Sequence, residues 1–447
     1  MPPFCSMIRK MSIIKGGGWN EQTDRADSRG YEASARRDRA GGAIAFAAAK
    51  ARSYTNGAVL SVIVRLNSGM YKNAFTCGIP NSREVGSEFA AALGVIAGNW
   101  ELGLEALSDV RREDIESAER LVEQGKVQVV LQNISSRIFI EVVVKTDEDE
   151  AVVTIEDTHT NITSVVVNGE EKFIHSEKKR KGGKPGEKQL IHTYTLRQLC
   201  EYIDNENVSE LEFMWEAYRM NLELFEAGLS SERTTFVKHL LKKNGGVVFS
   251  EEEQKTASLL CSGAIEARVL GLDKPAMSIT GSGAHGIIAT LPLYAAYKVN
   301  GYSKEQLLRA TALSYLICMY IKEYSGKLSA FCGCAIAAGT GMACGLVYLR
   351  GGTVKMMEET INNMAGSITG MICDGGNQGC TMKGIVAVDA AYQSAELAMD
   401  EVCVANVHGI VGRTPEETMR NMGEIASPGM IGTEKTILDI LQRKVDR

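Results

Sequence analysis

Every run with the two-residue alternation of a β-strand lies in the first 175 residues of this chain, and the remainder is helical in character almost to its end. The run AVLSVIVRL at 58–66 is rich in β-branched residues. It is followed, after two or three amphipathic helices at 84–124, by KVQVVL, SRIFIEVVVK, EAVVTIED and TSVVVNGEEKFIH, which alternate like half-buried strands. Asn168-Gly169 inside the last of these predicts a tight hairpin. Beyond Thr195 long periodic stretches are separated by glycine-rich turns. Thr414-Pro415-Glu416-Glu417 marks one helix start, with an N-cap hydroxyl, a proline at the first helical position and a capping-box glutamate.

The fold class that follows is α+β: an amino-terminal α+β domain over 43–192 and an all-α domain over 193–447. With 447 residues, the chain is long enough for two cores. Residues 1–42 do not join this pattern. The stretch GGGWNEQTDRADSRGYEASARRDRAGG has neither helical nor strand period and reads as irregular or mistranslated, whereas AIAFAAAKAR from Ala43 is a strong helix former. The basic insert SEKKRKGGKPGEK at 176–188 reads as a solvated loop.

Charge narrows the function. Lysine and arginine number 49 against 55 acidic residues, a net charge of -6, so the overall field offers nothing to nucleic acid or to an anionic membrane, and a small molecule is the expected partner. The opening residues lack the apolar run of about 7 to 15 residues that a secretory signal needs, so a cytoplasmic location is expected. There the 11 cysteines would be thiols, metal ligands or catalytic groups rather than disulfides. The uncharged stretch Leu328–Leu349 is long enough to span a bilayer, but its small residues suit a buried central helix better.

Cys332, Cys334, Cys344, Cys373 and Cys380 crowd one segment. The absence of any CxxC pair argues against a structural zinc site. On one helix Cys332 and Cys334 would point roughly 200° apart, too far to serve one metal. Cys373 and Cys380 bracket the flexible Asp374-Gly375-Gly376-Asn377-Gln378-Gly379. From the residues alone this cluster suits either a metal-thiolate centre or buried thiols used for packing. Three further places invite the same two-sided reading. Glycines and hydroxyls of MSITGSGAHGII at 277–288 precede a helix, which suits a carboxylate or a plain turn. His159, Thr160 and Asn161 follow a strand end, and Tyr71-Lys72-Asn73 is either functional or an exposed turn.

Five motifs in order, YKN at 71–73, HTNI at 159–162, GSGAHGIIATLP at 281–292, LSAFCGC at 328–334 and MICDGGNQGCTMK at 371–383, resemble the L-cysteine desulfidase and iron-sulfur serine dehydratase alpha-chain family. The resemblance runs from about Ala43 to the carboxyl end. It implies a lyase that eliminates the β-substituent of L-cysteine or L-serine through a 4Fe-4S cluster with one open iron, without pyridoxal phosphate. By position Cys332, Cys373 and Cys380 would be the metal ligands. Lys72 and His159 are the candidate catalytic groups, and Asn73, Thr160, Asn161, Ser282, Gly283 and His285 would bind substrate. Relatives often carry asparagine where His285 stands. A homodimer is a family-level expectation. Relatives also carry a cluster-binding cysteine just before the alanine-rich helix, where this chain has Asp38, which points to a frameshift or mis-called start affecting roughly residues 15–42. Resequencing the coding region is expected to restore that cysteine, and an unbroken frame encoding these residues as written would overturn the idea.

Overall fold

The computed structural model describes residues 39–445, apart from 80–81, 136, 175–188, 273 and 327–328. The irregular amino-terminal stretch as far as residue 38 and the basic insert lie outside the described residues. Helix α1 spans Arg39–Arg52 and so begins ahead of Ala43. Strand β1, Val59–Asn67, runs directly into the short helix α2, Ser68–Ala74. Helices α3, Ser87–Ala97, and α4, Arg112–Glu123, then lead to β2, Val127–Asn133. Strands β3, Phe139–Thr146, β4, Glu150–Glu156, β5, Ile162–Val167, and β6, Glu170–Ile174, complete the domain.

These strands form one six-stranded sheet in the order β2-β1-β3-β4-β5-β6. The β1–β2 pair is parallel and the others are antiparallel. The parallel pair requires a long crossover, which α2 to α4 provide. Alternation gives the sheet one apolar face: Val62, Val64 and Leu66 stand opposite Val144, Val142 and Ile140, which stand opposite Ala151, Val153 and Ile155. All nine are fully buried. At the β5–β6 hairpin Asn168 (φ 50°) and Gly169 (φ 81°) both adopt the left-handed region that the sequence pair predicts.

Alanines on α1 let it lie on this face and let α3 lie against α1. A Cβ on Gly94 of α3 would stand 2.5 Å from the Ala45 carbonyl oxygen and 2.9 Å from the Ala48 Cβ, so only glycine allows this approach.

The rest of the chain is helical. Helix α5, Leu196–Asn205, comes first, and α6, Trp215–Ser230, and α7, Phe236–Lys243, pack on α8, Glu253–Val269, which is buried over nearly its whole length. Against it also lies α9, Gly283–Asn300, and α10, Lys304–Ser325, packs on α9. A π-helical turn at Cys334–Ala338 leads into α11, Gly339–Leu349, so the uncharged stretch is interior packing. Helices α12, Val354–Ile368, α13, Gly379–Met399, α14, Pro415–Glu424, and α15, Ile431–Val445, follow. No helix among the described residues is long and apolar enough to cross a membrane. Thr414 caps α14 by accepting from the Glu417 amide, while the Glu417 carboxylate takes the Arg413 amide at 2.8 Å, one residue earlier than a capping box requires.

The carboxyl-terminal helix returns to the first domain: Leu438 of α15 belongs to the core beneath the sheet. The α+β and all-α parts therefore share a boundary at α2, α15 and the cysteine segments. Replacement Gly94→Val is expected to destabilise the protein by about 1–3 kcal/mol through overpacking, read as a lower midpoint in urea unfolding.

Candidate functional site

Two extended segments meet just before α11 and α13. Phe331 pairs with Ile372 in an antiparallel bridge, in which the Cys332 amide donates to Met371 O at 3.0 Å and the Cys373 amide donates to Ala330 O at 2.5 Å. Side chains of extended backbone alternate, so residues flanking the bridged pair share one side and Cys332 and Cys373 face the same way. After Cys373 the glycine loop turns back on itself. Asn377 Oδ1 accepts the Gly379 amide at 2.7 Å, and the Cys380 thiol, at the start of α13, donates to Gly375 O at 3.4 Å.

Cys334 stands with them. Cys332 precedes the helix and Cys334 opens a widened π turn, so the helical separation expected from the sequence does not arise, and the two thiols hydrogen-bond to each other. That bond, from the Cys332 thiol, holds Cys334 well below the usual thiol pKa against the cost of burial, with His285 and Ser282 adding to it. The same bond, together with burial, holds Cys332 well above. Burial pushes Cys380 up to about 11. Cys344 is different: it is fully buried in α11 beside Met357 and acts as packing. Among the described residues no three His, Cys, Asp or Glu side chains converge tightly enough to hold a single metal ion.

His285 and Ser282 approach from the start of α9. A tight turn with Thr280 (φ 51°) and Gly281 (φ 89°) joins Ile279 to Ser282. A β-branched residue in the left-handed region costs about 1–3 kcal/mol. The Thr280 hydroxyl donates to Ile279 O at 2.8 Å and lies 2.6 Å from His285 Nδ1, which therefore donates to it. This leaves Nε2 turned toward Cys334 and Gly333: a Cβ on Gly333 would lie 2.9 Å from it. The Ser282 hydroxyl is 3.8 Å from the Cys334 sulfur. Gly283 is the first residue of α9, and a Cβ there would meet Ala276 and Arg268 at 3.0 Å.

Lys72 reaches the same region from α2, beside the sheet. It is buried rather than an exposed turn lysine, and its Nζ donates to Glu434 Oε2 at 2.6 Å and to Ser329 O at 2.8 Å. Both partners are acceptors, so Lys72 stands as a donor, and acting as a base would require this ion pair to open. A Cβ on Gly375 (φ 111°) would lie 2.3 Å from the Lys72 carbonyl oxygen, so the cysteine loop rests directly on α2. Asn73 spends its side-chain amide within α2, on Gly69 O at 2.8 Å.

His159, Thr160 and Asn161 form the β4–β5 turn, whose described hydrogen bonds are local: the Glu156 amide donates to Asn161 O and Asn161 Nδ2 donates to Glu156 O, each at 3.1 Å. Register places this turn at the same end of the sheet as α2, two strands across, on the order of 10 Å away.

The chain matches the profile of the serine dehydratase alpha chain over residues 101–439. It belongs to the serine dehydratase alpha-chain family. Relatives in this family include UPF0597 proteins from Clostridium botulinum, strain Hall, 40% identical over 89% of this chain and 93% of that protein, and from Caldanaerobacter subterraneus subsp. tengcongensis, 35% identical over 90% and 94%. A UPF0597 protein of Clostridioides difficile is 34% identical over 90% of this chain and 96% of its own.

Three further residues lie at this site without a local sequence signal that assigns them to it. Cys334 was separated from Cys332 by a helical geometry that the backbone does not follow. Glu434 lies far along the chain from Lys72, and nothing local marks it. Lys322, buried in α10 close to Cys334 and Cys373, is marked only as the first of two charges, with Glu323, after the apolar run YLICMYI. Replacement Gly375→Ala is expected to cost about 1–3 kcal/mol by straining the loop against α2, seen as a lower thermal midpoint. Gly370→Ala, with open space around it, should leave the midpoint in place.

Proposed function

We propose that this protein is an iron-sulfur lyase that removes the β-substituent of L-cysteine or L-serine, giving pyruvate and ammonia, with sulfide from cysteine. The observation that carries this reading is the gathering of Cys332, Cys373 and Cys380, from two separate segments, beside Ser282 and His285 of α9. A cluster takes one thiolate per iron, so its ligands stand apart and need not converge as they must on a single ion; this donor set suits it. Cys332, Cys373 and Cys380 would hold the cluster. When bound, it would supply a Lewis acid for the substrate's carboxylate and β-leaving group, the role of metal ions in such eliminations, without pyridoxal phosphate.

The chain's own residues supply the rest. The Thr280 hydroxyl fixes the His285 ring, so that Nε2 faces the thiols and can take or give a proton at that atom. The Ser282 hydroxyl offers a hydrogen bond to the substrate's polar groups. Lys72, locked to Glu434, keeps the cysteine loop seated on α2. His159, Thr160 and Asn161 would line the substrate's approach from the sheet edge.

Anaerobically purified protein is expected to be brown, to contain iron and to release pyruvate from cysteine or serine. Cys332→Ser, Cys373→Ser and Cys380→Ser should each reduce iron and pyruvate to background, while Cys344→Ala leaves both intact. A colourless wild type that still binds amino acids but yields no pyruvate would replace the lyase reading with that of a binding protein.

A further inference from the structure

Helices α7 and α13 both pack on α8 and leave between them a cavity of about 810 Å³ that none of the cysteines lines. Cavities of this order hold small molecules. Its two ends differ in chemistry, because α7 and α13 both run antiparallel to α8. At one end Asn244, just past α7, donates to Thr256 Oγ1 at 3.3 Å, and Gln254 Nε2 donates to Asp389 Oδ1 at 2.8 Å. At the other a Cβ on Gly263 would lie 2.7 Å from Val237, and a Cβ on Gly384 would lie 3.3 Å from Ser262 Oγ. Lys243, Lys255, Glu252 and Asp389 therefore gather at the first end and Phe236 and Met382 at the second, with Leu240 and Ile385 between.

Between the ends stands a hydroxyl that the protein leaves unused. Several buried hydroxyls of this protein turn back on their own helix: Thr290, Thr311, Thr340 and Thr360 each donate to the carbonyl four residues earlier, at 2.6 to 2.7 Å. Ser258 of α8 does not. It is 7% exposed, lines the cavity and makes no hydrogen bond among the described residues. Buried hydroxyls are seldom left unpaired, so its partner has to come from within the cavity. The other polar groups nearby are largely spent. Glu252 pairs with Lys255 at 3.5 Å, Asp389 holds Gln254, and the amides of Thr235, Phe236 and Val237 at the start of α7 all donate to the Glu266 carboxylate. Lys243, exposed at the rim, makes no ion pair among the described residues.

We propose that this cavity is a second ligand site, which takes a small amphipathic monocarboxylate. The apolar chain lies along Phe236, Leu240, Met382 and Ile385, where it covers the half-exposed Met382. The carboxylate accepts from the Ser258 hydroxyl, with Lys243 at the rim. An anion suits this end better than a cation, since both carboxylates there already have partners and the unspent groups are a hydroxyl and an ammonium. The site stands apart from the cysteine segments and does not rest on the lyase reading.

The test is calorimetric titration of the full chain with octanoate, octanol, octylamine and acetate, which has the head without the tail. Octanoate is expected to saturate at one molecule per chain, octanol to bind more weakly, octylamine more weakly still, and acetate not detectably. Ser258→Ala should weaken octanoate by about 10- to 100-fold, the range for a lost hydrogen bond to a charged group. Its unliganded thermal midpoint should stay in place, because the hydroxyl bonds to nothing in the folded protein. Lys243→Met should weaken octanoate by about two- to fivefold, as for an exposed charge, and leave octanol unchanged. Equal affinity of Ser258→Ala and wild type for octanoate would overturn the proposal. So would octylamine or acetate binding as tightly as octanoate, or uptake that never saturates. A lower midpoint of unliganded Ser258→Ala would assign the hydroxyl to packing and overturn it as well.

Discussion

The buried ion pair between Lys72 and Glu434 joins three stretches of chain that also meet in a small apolar cluster of Ala330, Ile437 and Leu441 with Phe75 packed against it. Lys72 lies on α2 at the edge of the sheet, Glu434 on the last helix, and the carbonyl of Ser329 on the segment that leads to Cys332. Removing one partner of such a pair leaves an uncompensated charge inside the protein and costs about 3–5 kcal/mol. The neighbouring packing depends on it in turn. Leu438, one helical turn beyond Glu434, completes the core under the sheet, and the Gly375 loop rests on the carbonyl of Lys72 itself. The pair thus sets how the sheet domain is seated against the cysteine segments.

Given that seating, the chemistry of each cysteine follows from its surroundings. Cys261, Cys318 and Cys344 are wholly enclosed, and burial raises their thiol pKa values until they behave as small apolar side chains. Cys332, Cys373 and Cys380 sit where an antiparallel bridge and a glycine loop turn their sulfurs to one side. Cys334 is only half-buried, and the Cys332 thiol beside it, with His285 and Ser282, shifts it in the opposite direction. The difference lies in polar neighbours as well as in depth.

Much of the fold was legible because it depends on periods and caps that act over a few residues. The strands at 126–174, the left-handed Asn168-Gly169 turn and the Thr414 cap all appear where local pattern placed them. The two fold classes follow from the same patterns. Within the site, the motifs marked the right segments but not their relations. Nothing local told that Lys72 is buried, that its partner lies near the other end of the chain, or that the π turn brings Cys334 against Cys332. The start of α1 at Arg39, ahead of the expected Ala43, has a related cause: its first turn is covered by the packing of Leu104 over Gly42, a long-range contact.

By itself the sequence determined the α+β and all-α division, the apolar face of the sheet, the crowding of cysteines and the family, since each is carried by residue type and spacing along the chain. The tertiary structure alone decided which thiols face one another, which carboxylate pairs with Lys72, and which glycines are closed to a side chain. Those properties are set by distances of a few ångströms between segments hundreds of residues apart, and burial and hydrogen-bond strength depend on such distances, not on sequence order.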